Sequence, residues 1–209
     1  IYNKTGLDKS LLSKYISVLE NLGILEKAIP ITEGYKSRLK AKGALYSLRD
    51  NFFDFWFRFV YLNRQELEKG NADIVLKSMR QDMENYVSRK FENFAKEVIS
   101  LGALNGFSKI GRWWSKEEEI DIVAINEEKK EILFGECKWQ DNAEPLKILN
   151  SLKEKAKKVK WENANRKETY AIFAKSFKKR IYEFEGKKVH CFDLKGIENA
   201  LRKSSRREP

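Results

Sequence analysis

Three acidic side chains and one lysine sit at alternating positions of two apolar segments, Glu119-Ile120-Asp121-Ile122-Val123-Ala124 and Phe134-Gly135-Glu136-Cys137-Lys138-Trp139. A carboxylate among Ile and Val is costly unless a cation or hydrogen-bond donors compensate it, so these positions must be paired or ligating. Asn126 to Glu131 supply turn chemistry between the segments, which therefore read as the two strands of a hairpin. Side chains alternate faces along a strand, so Glu119, Asp121 and Val123 share one face and Phe134, Glu136 and Lys138 share another. A turn about Glu128-Lys129 sets Asp121 opposite Glu136 and Glu119 opposite Lys138. Cross-strand neighbours lie about 5 Å apart at Cβ, close enough for two carboxylates to hold one divalent cation. The chemistry of such a set is metal-assisted hydrolysis of a phosphodiester, with Glu119 either a third ligand or the ion-pair partner of Lys138.

An Asp followed about fifteen residues later by Glu-x-Lys on a paired strand resembles the signature of the PD-(D/E)XK nuclease superfamily. The resemblance implies that Asp121 and Glu136 hold Mg²⁺ or Mn²⁺ and that Lys138 positions or activates the attacking water. It also implies a further acid on the preceding helix, and Glu92 in Lys90-Phe91-Glu92-Asn93-Phe94 matches it. The family's Pro before the Asp is replaced by Ile120. Outside this set the sequence is sparing. His190 is the only histidine, in an apolar strand-like run that reads as core, which speaks against a histidine-based mechanism. Cys137 alternates away from the Glu136 face and reads as packed.

The positioning elements follow from periodicity. A helix from about Tyr86 to Leu101 buries Val87, Phe91, Phe94 and Val98, and a strand runs from about Phe107 to Trp114. After the hairpin, a helix over Leu146 to Trp161 carries Leu149, Leu152, Ala156 and Val159 on one stripe. Its other faces hold Lys153, Lys155, Lys157, Lys158 and Lys160. Strands at about Glu168 to Ala174 and Lys188 to Asp193 then alternate with helices at about Ser176 to Glu185 and Gly196 to Lys203. The order αβββαβαβα implies an α/β domain over residues 85–209, a mixed sheet flanked by helices as in restriction-endonuclease-like folds.

The N-terminal third has a different pattern. Asp8 reads as the N-cap of a helix running to Leu22, with Leu12, Ile16 and Leu19 inward and Gly23 closing it. Its opposite face offers Ser10, Ser13, Lys14 and Ser17, small or basic residues suited to a major groove. Strands at Ile24 to Ile31 and Ala44 to Leu48 flank a loop bearing Lys36, Arg38, Lys40 and Lys42. Residues 1–50 thus read as a winged helix-turn-helix whose first helix precedes Ile1, with Lys36, Arg38 and Lys40 on the wing that touches phosphate. Residues 51–84 form an aromatic helix, Phe52 to Tyr61, and a linker punctuated by Gly70. An aromatic run of that density must be covered on most sides.

Taken in order, these segments resemble the C-terminal region of the archaeal-type P-loop ATPase family. There an ATPase domain precedes a winged helix, an aromatic segment and a PD-(D/E)XK-like domain. The pieces that carry the resemblance are Phe55-Trp56-Phe57-Arg58-Phe59-Val60, Phe91-Glu92, Glu119 to Ala124 and Gly135 to Trp139. It implies an N-terminal ATPase domain of the same full-length protein as partner. No G-x-x-x-x-G-K-[ST] phosphate loop occurs in the chain, so ATP binding is not expected of these residues.

Composition agrees. The 209 residues carry a net charge of +11, with the basic excess before residue 51 and after residue 140 and a slightly acidic stretch between. That distribution suits a polyanion, duplex DNA above all, delivered to a metal site, although a lysine-rich solvated surface accounts for the charge equally well. Two cysteines in apolar runs point to buried thiols and a cytoplasmic setting. No segment has the length and apolarity of a membrane span. A homo-oligomer is compatible with these features.

Overall fold

The computed structural model describes residues 6–33 and 43–205, which divide into two compact units, one ending at Asp82 and the other beginning at Met83 apart from residues 30–37. The predicted wing residues Lys36, Arg38 and Lys40 lie outside the described residues.

In the first unit, helix α1 (Lys9–Asn21) starts where Asp8 accepts hydrogen bonds from the backbone N–H groups of Ser10 and Leu11. This satisfies donors that a helix start leaves orphaned. Strands β1 (Leu25–Ala28) and β2 (Leu45–Leu48) pair antiparallel with Leu25 opposite Leu48. The first strand is shorter than expected, because Ile31 joins the second unit: its N–H donates to the Arg112 carbonyl at 2.9 Å. Helix α2 (Asn51–Phe55), capped by Asp50, passes into a π-helical turn over Trp56–Val60. Of the aromatic run only Phe59 is buried, while Phe52, Phe53, Trp56, Phe57 and Tyr61 are exposed, contrary to the expectation that most would be covered. Arg58 in that turn is tied to Asp82, its Nε donating at 2.7 Å. A short helix α3 (Arg64–Glu68) ends at Gly70, which takes the left-handed conformation glycine tolerates.

Helix α4 (Ala72–Val98) continues without a break where the periodicity suggested a linker and then a helix. Its C-terminal part belongs to the second unit with Phe91, Ala95 and Val98 buried, as is Ile99 just beyond it, and Phe94 exposed, so Ala95 holds the position expected for Phe94. The sheet of that unit comprises β3 (Lys109–Trp114), β4 (Glu119–Asn126), β5 (Glu131–Lys138), β6 (Lys167–Ala174), β7 (Glu183–Phe184) and β8 (Lys187–Phe192). Their spatial order is β3-β4-β5-β6-β8-β7. The first three strands pair antiparallel, β5, β6 and β8 pair parallel, and β7 pairs antiparallel at the edge. Helix α5 (Pro145–Lys158) provides the crossover between the parallel strands β5 and β6, and α6 (Leu194–Ser205) follows β8. The expected helix over Ser176 to Glu185 is absent. Phe177 makes an isolated bridge to Ala143, Phe184 is buried against Tyr170, and Glu185-Gly186 turn the chain with positive φ.

Two core layers sandwich the sheet. On one face Phe134, Tyr170 and Ile172 pack with Leu149 and Leu152 of α5; on the other Leu133, Ala171 and Phe173 pack with Phe91, Val98 and Ile197. Among the described residues no helix is long and apolar enough to cross a membrane. The two middle strands approach closely at Gly135, where an added Cβ would sit 2.9 Å from Cβ of Ile122. Gly135→Val is therefore expected to destabilise the chain by about 1–3 kcal/mol in urea denaturation, the usual cost of overpacking a tight core.

Candidate active site

The hairpin turns where the sequence placed it. Asn126 pairs with Glu131, Val123 with Phe134 and Ile122 with Gly135, a register that carries Asp121 to the level of Glu136. The ladder stops at Ile122–Gly135. Beyond it the Asp121 carboxylate, rather than a backbone carbonyl, takes the N–H of Cys137, at 2.8 Å.

A β-bulge shapes the other side. The β3–β4 register shifts between Gly111–Val123 and Trp113–Ile120, so Asp121 and Ile122 together oppose Arg112. One consequence is that Ile120 and Val123 pack into the same core layer, which strict alternation forbids. Bulges re-aim side chains in this way. Of the two roles read for Glu119, a third ligand or the partner of Lys138, the ion pair is not formed: Arg112 holds Glu119 at 3.1 Å and Glu92 at 3.3 Å, and Lys138 turns to Glu136 at 2.9 Å.

Asp121 and Glu136 are each 6% exposed. They line one cavity of about 420 Å³ with Ser88, Glu92, Lys138 and Lys155. Burial, then the charges of Glu136 and Glu92, push the Asp121 carboxyl up to about 7. Burial also lifts Glu92, against the pull of Arg112. Lys138 is pulled down by burial, but its hydrogen bond to Glu136 and the neighbouring carboxylates prevail and raise it, so it stays an ammonium. Cys137 is pushed up by burial and by Asp121, which keeps it a thiol, as packing predicts. His190, lowered by burial, lies away from these residues beside Phe192.

Lys155 was not singled out by the sequence pattern, yet its Nζ lies 3.0 Å from both Glu136 oxygens. A signal was present. Ile148, Leu152, Lys155 and Val159 fall at i, i+4, i+7 and i+11, so Lys155 interrupts the inward stripe of α5 rather than decorating its outer face. Arg112 carries no such signal, because its partners lie on helix α4 and on the neighbouring strand β4 and meet it at the bulged β3–β4 register. In the first unit the Ser10 hydroxyl is bound to Asp8, and Ser13 Oγ donates to the Lys9 carbonyl at 2.9 Å. Lys14 and Ser17 remain exposed on that face.

The donors fit a divalent cation in kind. They are carboxylates alone, hard oxygen ligands suited to Mg²⁺ or Mn²⁺, and the repulsion that lifts Asp121 is one a dication would relieve. Among the described residues no three His, Cys, Asp or Glu side chains already converge as a ligand set. Glu136 faces two ammonium groups and Glu92 a guanidinium.

Residues 56–158, which include Glu92, Asp121, Glu136, Lys138 and Lys155, match the DUF234 family, described as archaea bacterial proteins of unknown function. Over 187 residues the chain is 36% identical to an uncharacterized protein of Methanocaldococcus jannaschii, a match that covers 86% of this chain and 41% of that relative. The chain thus spans less than half the length of the relative it matches. No solved structure matches the sequence.

Proposed function

We propose that the second unit is a metal-dependent phosphodiesterase of the PD-(D/E)XK type acting on nucleic acid, and that the first is a winged helix that holds duplex DNA. The observation that carries this reading is the opening of Asp121, Glu136, Glu92 and Lys138 on one cavity at the end of the β4–β5 pairing. Asp121 and Glu136, with Glu92 from α4, would hold Mg²⁺ or Mn²⁺. When bound, the metal supplies Lewis-acid polarisation of the phosphate and charge neutralisation. The chain's own groups do the rest. Lys138, held as an ammonium by Glu136, is a donor and counter-charge that orients the attacking water and the phosphate oxygens; it is not a base at neutral pH. Burial of Asp121 and Glu136 lowers the local dielectric, which strengthens each of these interactions. The two free thiols suit a reducing, cytoplasmic setting. The longer relative leaves room for an N-terminal ATPase domain as the partner that would deliver DNA.

The test is incubation of linear, supercoiled and branched DNA and RNA with Mg²⁺ or Mn²⁺, comparing the chain with Lys138→Ala. Metal-dependent cleavage that Lys138→Ala abolishes supports the reading; cleavage by neither protein sinks it. For the first unit, Lys14→Ala is expected to weaken salt-sensitive duplex binding severalfold in a mobility-shift assay, and unchanged binding would assign α1 to protein contacts. One observation favours a second reading, a nuclease fold retained for binding or assembly without catalysis. Lys138 and Lys155 together already neutralise Glu136, which leaves the site stable as an ion-pair network.

A further inference from the structure

Lys155 is the cationic group of this cavity to which the proposed reaction gives no task. Its ammonium is 3.0 Å from Oε1 and 3.0 Å from Oε2 of Glu136, so it spans the open fork of the carboxylate. A divalent cation bound by both oxygens would take that same position. Lys138, from the strand itself, reaches Oε1 alone, at 2.9 Å. The two lysines also differ in how they are anchored. Lys155 rises from a helix locked by Leu149, Leu152 and Ala156, all at most 2% exposed. Its backbone is therefore fixed while its four-carbon stem can swing. The cavity in front of it, about 420 Å³, gives the ammonium somewhere to go.

We propose that Lys155 is a built-in counter-ion: it occupies the cation-binding face of Glu136 and must be displaced before a divalent cation can take that face. This rests on the reading of Asp121 and Glu136 as metal ligands. The ammonium then sets the cation concentration at which the site loads. Once displaced, it stands free in the cavity as a positive group for a phosphate. The carboxylate is never left bare, since one cation is exchanged for another, which explains how Glu136 is tolerated at its depth.

Calorimetric titration of Mn²⁺ into the whole chain at pH 8 tests this with a binding readout that needs no turnover. Lys155→Met is expected to bind Mn²⁺ about tenfold more tightly than wild type, because the dication no longer competes with an ammonium at contact distance. Lys155→Gln should behave alike and serves if the Met variant melts early. Lys155→Arg, which keeps a charge and a two-pronged grip, should bind no more tightly than wild type. Asp121→Asn reports on the underlying reading. Binding that Asp121→Asn removes but that Lys155→Met and Lys155→Gln leave unchanged or weaken overturns the counter-ion and spares the metal site. No binding by any of these proteins overturns both.

Discussion

Replacing Asp121 by Asn should abolish any metal-dependent cleavage and, at pH 8, make the chain more stable by about 2–4 kcal/mol. The two outcomes have one cause. The carboxyl is buried and faces Glu136 and Glu92, so the fold favours its protonated form and lifts it from 3.8 to about 7. The unfolded chain imposes no such shift. Between about pH 4 and 7 the folded chain holds a proton that the unfolded chain has released, so this group's contribution falls as pH rises. Below the ordinary carboxyl range nothing has been lost, and above about 7 the loss is complete. At about 1.4 kcal/mol per tenfold change in the proton equilibrium, the full loss is about 4 kcal/mol. Asn cannot ionise, and its side-chain oxygen can still accept the Cys137 N–H that Asp121 takes at 2.8 Å. Urea denaturation of both proteins in chelator should therefore coincide near pH 4 and diverge by pH 8, with the variant the more stable. A variant less stable than wild type at pH 8 would mean that Lys138 and the Cys137 N–H outweigh the repulsion. On the proposed reading, a bound dication would relieve this repulsion.

The hairpin and its acids were legible because two local rules agree on them. Alternation assigns the faces, and the turn between Asn126 and Glu131 fixes the register to the residue, so that Asp121 reaches the level of Glu136. The bulge opposite Arg112 was not legible, since one extra residue in a ladder leaves no mark on composition. It is the bulge region that gives Glu119 to Arg112 instead of Lys138. The stretch after Ser176 has helix-compatible composition, yet Phe184 is drawn into the core beside Tyr170, and tertiary packing overrode a weak local preference. Helix α4 was divided too early for the opposite reason. Its polar middle, from Lys77 to Glu84, carries little apolar periodicity to join the two parts, yet it holds no Gly or Pro that would break a helix. Lys155 was hidden by number: among five lysines between residues 153 and 160, only its place on the stripe set it apart.

Arg166→Ala is expected to cost about 3–5 kcal/mol, among the largest single effects available away from the hairpin. The side chain is 5% exposed and its guanidinium is shared among five partners. It donates to the carbonyls of Ala156 at 2.9 Å, Val159 at 2.7 Å and Trp161 at 3.1 Å, which are the last acceptors of α5 and the turn beyond it. It pairs with Glu168 at 2.8 Å and lies over the Phe134 ring at 5.3 Å. Truncation takes a donor from the Val159 and Trp161 carbonyls, while Ala156 keeps the Val159 N–H and Glu168 keeps Lys187 and the Tyr170 hydroxyl, and each buried acceptor left bare costs about 1–3 kcal/mol. Lysine restores the charge without the planar fork, so Arg166→Lys should fall between wild type and Ala. The consequence reaches the candidate site. The last turn of α5 carries Lys155 and the Ala156 carbonyl that Arg166 holds, and the Val159 and Trp161 carbonyls follow directly, so fraying that end loosens the ammonium on Glu136. Denaturation should therefore show the stability loss, and Mn²⁺ titration of Arg166→Lys should show binding tighter than wild type, as in Lys155→Met but smaller. A loss under about 1 kcal/mol for Arg166→Ala would mean that the core stripe of Leu149, Leu152 and Ala156 alone anchors the helix.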